Sequence, residues 1–392
     1  MCGCLWPLLR RPVGRRAALV AAAIRVSAGE IRAAEAAAAG QRAAVGKGGR
    51  TRVVLLGTAG GPTYWPGSSR RSASSAVVVG DAVYMVDCGD GAGKRLAEAM
   101  DRPGPGDSFR QLRALFLTHL HSDHTVDYPN LFLYGYFAGL DLPGRGPLQV
   151  YGPGRRGEMA PVFAMPGQTA AEPGVVNADN PTPGTVDMTR YLMQAFATDI
   201  NDRIRDNGKR SPSELVQAHD IVLPDIAGFR SPNLTPSPEM APFKVFEDDR
   251  VRVSAILVSH APIFPAFAYR FDTDEGSVVF SGDTGPCANL ITLARGAEVL
   301  VHEVIVTGWI DQRFPAPRSP ADEGLRAHLL SAHTAVEEVG KIAEQAGAGM
   351  LVLNHLLPGN ARAVDLMGAG RDFSGPLVIG EDLLSIGVRR LG

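Results

Sequence analysis

Cysteine is scarce, with four in 392 residues: Cys2, Cys4, Cys88 and Cys287. They are too few and too scattered for a disulfide framework or a CxxC zinc ribbon. No run of about 18 apolar residues occurs, which excludes a membrane-spanning helix, and mean hydropathy is +0.00. No GxSxG elbow is present, so nothing indicates a serine nucleophile on a strand-to-helix turn. No repeat appears at the roughly 20–50-residue periods of solenoids. Gly 45 and Pro 29 make the chain loop-rich, yet short of the roughly 25–30% that marks disorder. Hydrophobic residues at 45% and charged residues at 20% are an ordinary globular mix, and a chain of this length can bury its own core. The length allows one large domain or two to three small ones.

The net charge of −2 conceals an asymmetry. Residues 1–50 carry nine Lys and Arg against two acids, leaving 30 basic and 39 acidic residues in 51–392. The body is therefore acidic, and a polyanion such as RNA would need a local basic patch. Arg10, Arg11, Arg15 and Arg16 precede a short apolar stretch, Ala17 to Ile24, and then Ala-rich sequence. This is the layout of a secretory signal, and the paired arginines resemble a twin-arginine export signal. Arg25, Glu30, Arg32 and Glu35 interrupt that pattern; the alternative is a disordered or weakly helical, Ala-rich extension with no address. Export would place the protein in the periplasm or outside the cell; otherwise it stays in the cytoplasm. Residues 1–50 are thus expected to be an N-terminal extension and 51–392 the catalytic domain.

Within 51–392, short apolar runs end in turn residues. Arg52–Leu56 stops at Gly57-Thr58-Ala59-Gly60-Gly61-Pro62, and Ala76–Val79 with Ala82–Val86 forms a hairpin across Gly80-Asp81. Ala92–Met100 is a helix and Leu112–Thr118 a buried strand. From about 152 to 246 proline breaks the pattern, apart from an amphipathic helix over Thr189–Asn207; this span is expected to be a lid-like insertion. Strands resume at Val251–Val258, Ala266–Asp272, Ser277–Ser281, Val299–Val301, Met350–Leu353 and Pro376–Ile379, with a helix over Ala335–Ala346. Strand clusters with intervening helices in two successive halves indicate a layered α/β fold.

The chemistry concentrates at His119-Leu120-His121-Ser122-Asp123-His124, directly after the Leu112–Thr118 strand. In extended backbone His119 and His121 face one side and can share an ion. Asp123 and His124 lie past a turn, where they can address a second. Burying that much imidazole and carboxylate without a metal would be costly. His260, Asp283 and His355 each end an apolar run, as ligands at the tips of buried strands do.

His119-x-His121-x-Asp123-His124, together with Ser281-Gly282-Asp283-Thr284, resembles the metallo-β-lactamase superfamily. The order of the remaining elements resembles the branch holding ribonuclease Z and arylsulfatase-like hydrolases. These are Leu56–Pro62, Val86–Gly91, Ala268-Tyr269-Arg270, Val301-His302-Glu303, Ser331-Ala332-His333-Thr334 and Leu353-Asn354-His355. The resemblance covers about 51–390 and implies an αβ/βα four-layer sandwich, two sheets inside and helices outside. It implies two Zn2+, with Mn2+ or Fe2+ as substitutes. His119, His121 and His260 would hold one ion, Asp123, His124 and His355 the other, and Asp283 would bridge. It further implies a metal-bridging hydroxide as nucleophile, oriented by Asp123. His302 and His333 would act beside the scissile group, with Glu303 orienting one of them. Asp87 is read as an anchor for the His119–His121 loop, Cys88 and Cys287 as small buried residues, and His219 and His328 as surface or insertion residues.

The ribonuclease pattern carries a tRNA-gripping arm between the Tyr-Arg element and the Gly-Asp-Thr element. Here only twelve residues separate Arg270 from Asp283. That, with the acidic body, favours a small-molecule ester (phosphodiester, aryl sulfate or lactone) over tRNA 3′-end processing as the substrate. A non-catalytic metal-binding protein would need a missing ligand, and none is missing. Nucleic acid is the lesser partner, and a homodimer is allowed.

Overall fold

The computed structural model describes residues 27–44, 49–100, 107–164 and 170–390. The arginines and apolar stretch of the export-like segment lie outside the described residues.

Among the described residues, fourteen strands form two seven-stranded sheets. In the first half these are β1 (Thr51–Gly57), β2 (Ser74–Val79), β3 (Ala82–Val86), β4 (Leu112–Phe116), β5 (Leu148–Pro153) and β6 (Val216–Ile221). The second half supplies β7 (Phe243–Glu247), β8 (Arg252–Leu257), β9 (Phe267–Thr273), β10 (Gly276–Phe280), β11 (Val299–Ile305), β12 (Leu351–Leu357), β13 (Leu377–Ile379) and β14 (Ser385–Gly387). The first sheet runs β14-β1-β2-β3-β4-β5-β6 and the second β13-β12-β11-β10-β9-β8-β7. Each is antiparallel on one side and parallel on the other, the parallel joins being β3–β4–β5–β6 and β10–β11–β12–β13.

The strands read as continuous apolar runs because both faces are covered. Along β1, Val53 and Leu55 point between the sheets while Val54 and Leu56 meet the outer helices. Along β11, Val299 and Val301 face inward and Leu300 and Val304 face the helix layer. Phe116 sits at the middle of the inner core, with Tyr151, Phe246, Tyr269 and Phe271 rings at 5.3–5.7 Å. Helices Ala92–Met100 and Tyr128–Leu133 cover the first sheet, and Ala288–Ala294 and Val336–Ala346 the second. The fold is the expected four-layer α/β sandwich.

Three boundaries differ from the sequence reading. Helix Ala28–Ala44 packs on the body, burying Ala38 in the outer core of the second sheet and pairing Arg42 with Glu381 at 3.1 Å. The 152–246 span contains β6 and β7, the edge strands of both sheets, whose half-exposed polar residues hide the alternation. Its long helix is two, Thr185–Ala195 and Ala197–Asn207, broken at Phe196. Among the described residues no helix is long and apolar enough to cross a membrane.

Candidate metal centre

The functional side chains gather at the same end of the sandwich, most of them just past the strands that carry them and His355 within its own strand. β4 is followed by Leu117 and Thr118 and then by His119 and His121, whose rings stand 4.7 Å apart. The short helical turn Ser122–Thr125 points Asp123 and His124 back towards them. His260 follows β8 and Asp283 follows β10. Between Ser281 and Asp283, Gly282 adopts φ +57°, and a Cβ there would stand 2.6 Å from the Phe267 carbonyl; only glycine passes this turn without strain. His355 sits in a bulge of β12, where Asn354 and His355 together oppose the single Glu303 of β11. Its φ of +43° is unusual for a residue with a side chain, and such bulges re-aim side chains next to sites.

Two groups of ligand atoms result. His119, His121, His260 and Asp283 form one and Asp123, His124 and His355 the other, with atoms in each within 4.8 Å of one another. Asp283 spans both. Its Oδ2 lies 3.8 Å from His119 Nε2, 3.9 Å from His260 Nε2 and 3.2 Å from His355 Nε2. Its Oδ1 lies 3.3 Å from His124 Nε2. Asp123 Oδ2 stands 3.3 Å from His355 and 3.6 Å from His124. Ligands at about 2.0–2.1 Å from a tetrahedral zinc would sit roughly 3.3 Å apart.

The donor chemistry fits a metal. His119 Nε2, His124 Nε2, Asp123 Oδ1 and Asp283 Oδ1 are buried without a hydrogen-bond partner, a costly state that a bound cation relieves. Burial, together with neighbouring imidazoles, holds His119 and His260 well below the usual histidine range, as the neutral ligand form. Burial opposes ionisation of Asp283 too, but His355, His124 and His119 overcome it and keep the carboxylate ionised. Burial likewise opposes protonation of His124, yet Asp283, Asp87 and Asp123 raise it well above the ordinary value. The cluster therefore fits a metal site of imidazole and carboxylate groups, with no thiolate among them.

Outer partners set the ring orientations, as they do around metal-ligating histidines. Asp87, in the left-handed region at φ +60°, accepts from the Thr118 amide at 2.7 Å and stands 2.8 Å from His124 Nδ1. Thr118 Oγ1 in turn lies 3.1 Å from His119 Nδ1. The Ala332 carbonyl takes His260 Nδ1 at 2.9 Å. Cys88 is buried, and Cys287 is half-buried against Ser237.

His333 and His302, paired in the sequence reading, separate here. His333 Nδ1 lies 3.3 Å from Glu303 Oε2, and its ring stacks 5.7 Å from that of His355. Asp283, His333 and His355 also lie close enough to share an ion. The Glu303 pair already engages the nearest His333 nitrogen, so His333 is better placed beside the metals than on one. Thr334 caps no helix: its amide donates to Glu303 Oε1 and its hydroxyl to the Thr284 carbonyl. His302 is a correction. Successive strand residues face opposite sides; Glu303 takes the site side, so His302 shares the helix-facing side of β11 with Leu300 and Val304. It is fully buried, its one hydrogen bond among the described residues going to the Glu303 carbonyl at 2.7 Å.

His328 corrects the sequence reading in the other direction. On helix Pro320–Ala332 it is half-buried, its ring 5.7 Å from His260 and 6.1 Å from His333. His219 is half-buried on β6, stacked on Tyr151 at 4.6 Å and away from the centre.

A cavity of about 480 Å³ opens beside Asp123 and Ser122, walled by Arg70, Arg71, Arg95 and the exposed Tyr64. Arg70 is tied to Thr58 and the Gly380 carbonyl, Arg71 to Asp90, and Arg95 to Glu98 and Asp382.

No family model matches the sequence. Among curated proteins, a ribonuclease Z of Mycobacterium sp. (strain KMS) is 31% identical over 306 residues, covering 78% of this chain and 84% of the relative. The chain belongs to the ribonuclease Z family. Ribonuclease Z of Mycobacterium marinum is 28% identical over 338 residues, 84% of this chain and 96% of that protein. The short form of human tRNase Z superposes with a TM-score of 0.53 at 16% identity, over 86% of this chain and 99% of that one. The metallo-β-lactamase fold protein YhfI from Bacillus subtilis gives 0.51 at 18% identity, over 86% and 98%. As a member of the ribonuclease Z branch of the metallo-β-lactamase superfamily, the protein is a metal-dependent hydrolase of ester bonds.

Proposed function

We propose that this hydrolase is a dinuclear zinc phosphodiesterase acting on RNA, in the manner of a tRNA 3′-processing endonuclease. The observation that carries the choice is the cavity against Asp123. The body has an excess of acids, yet Arg70, Arg71 and Arg95 line the one wall that adjoins the second ligand group. Guanidinium groups suit phosphate oxygens, so the local basic patch that RNA requires lies next to the centre. The naming of the curated relatives weighs the same way against the small-ester reading that the sequence favours.

His119, His121 and His260 would hold one ion, Asp123, His124 and His355 the other, with Asp283 shared. Such a pair lowers the pKa of water towards about 7 and polarises a phosphoryl oxygen. The remaining work falls to the chain. Asp123 accepts the proton of the attacking water and orients it. His333, held protonated above the ordinary value by Glu303 although burial opposes it, donates its proton to the departing oxygen. Glu303 fixes the His333 ring by gripping Nδ1 with one oxygen and the Thr284 and Thr334 amides with the other.

A second reading, a small-molecule ester, is favoured by β9 and β10. They form a tight hairpin, Thr273 pairing with Gly276, so no arm for tRNA rises between Arg270 and Asp283. The test is a panel on the zinc-loaded protein: a pre-tRNA, bis-p-nitrophenyl phosphate, p-nitrophenyl sulfate and a lactone. Endonucleolytic cleavage at the pre-tRNA 3′ end is expected. Turnover of the sulfate or lactone with intact pre-tRNA would replace this reading by the second.

A further inference from the structure

The side of the centre opposite the arginines is built by segments the catalytic argument leaves unused. Beyond β5 the chain crosses towards helix Pro320–Ala332. Arg156 bonds the carbonyl of Pro262, two residues after His260, and the Asn233 side chain. Asn233 in turn donates to the Met159 carbonyl at 2.9 Å, and Glu158 takes the Ser231 hydroxyl. This fixes the start of the crossing against the loop that carries His260. At its far end the Phe163 ring packs against Gly324, where an added Cβ would stand 2.9 Å from two ring carbons. Phe163 nevertheless stays 50% exposed, with Leu325 at 48% beside it. One helical turn after Gly324 comes His328, on the same face, within 5.7 Å of His260 and 6.1 Å of His333.

A half-exposed phenyl ring and an imidazole thus stand in line along one helix, the imidazole nearest the metal ligands. We propose that Phe163 and His328 are specificity-determining residues for the substrate: Phe163 stacks a flat base and His328 hydrogen bonds an oxygen of the adjoining phosphate or sugar. Stacking is sequence-tolerant, since every base offers a π-face, so this wall selects nucleotides over flexible or aliphatic esters without reading their order. It leans on the proposed function only for where the phosphate sits.

The test is calorimetric titration of the zinc-loaded protein with AMP and with ribose 5-phosphate, which differ by the base alone. The expected result is AMP binding roughly tenfold tighter in the wild type. Phe163→Leu should abolish that ratio by weakening AMP alone, and Phe163→Tyr should keep it. His328→Ala should weaken both ligands equally, with zinc content unchanged. Equal or undetectable binding of the two ligands by the wild type, or an unaltered ratio in Phe163→Leu, would overturn the proposal. Absence of pre-tRNA cleavage is a separate result: it sinks the proposed reaction and leaves the binding ratio standing.

Discussion

Glu303 and His333, thirty residues apart, meet as a buried pair at 3.3 Å, and the second Glu303 oxygen holds the Thr334 amide at 2.8 Å. One carboxylate therefore fixes both the ring and the backbone that carries it. Replacing His333 by Ala should slow turnover by roughly 10²–10⁴-fold while both ions stay bound. His302→Ala, one strand position from Glu303 but on the opposite face, should lower the melting temperature and leave kcat unchanged. Kinetics beside metal analysis decide the matter: equal kinetic losses in the two variants would contradict this division of roles.

Among the described residues, Asp283 is the side chain within ligand distance of both groups, by way of His119 and His260 on one side and His124 and His355 on the other. Asp283→Ala should lose both ions together with activity, as read by elemental analysis of the purified protein. Retention of two ions would show that the bridge is dispensable.

Asp87 touches neither ion site directly, yet it orders Thr118 and His124 at once. Loss of such an outer partner costs about 10–100-fold in metal affinity. Competition of Asp87→Ala against a chelator should show a drop of that size, with His124 freed to rotate. An unchanged affinity would reduce Asp87 to a loop anchor.

Acid should strip the centre. Burial favours neutral His124, but Asp283, Asp87 and Asp123 outweigh it and raise the ring well above 6.5 in the metal-free state. A metal must displace that proton. Apparent affinity therefore falls as pH drops through the raised value and is greatest above it. Chelator titrations across neutrality should show proton release on metal uptake; affinity independent of pH would contradict the raised state.

Most of the His/Asp cluster was legible because most of its members follow an apolar run, and the run shows where the strand stops. His119–His124 and Asp283 needed nothing more. His302 was misread because β11 is apolar on both faces, so its alternation is invisible until the two cores are seen. His328 was missed for another reason. It lies in a helix opened by a capping box between Ser319 and Asp322, a signal present in the sequence but with nothing to say which way the helix points, and His328 itself comes 45 residues past Asp283. β6 and β7 escaped notice because edge strands carry polar residues. Helix Ala28–Ala44 was read at most as a weak helix outside the fold, because its long run of alanines gives no face to mark the packing.

The ligands are divided between the halves of the polypeptide: His119, His121, Asp123 and His124 follow a strand of the first sheet, and His260, Asp283 and His355 belong to the second. Neither half owns a complete coordination set. Bound cations would consequently act as a clasp across the mouth of the sandwich, where the apolar filling between the sheets gives way to imidazole. Demetallation would unfasten that mouth, while the apolar core between the sheets holds the rest of the sandwich together.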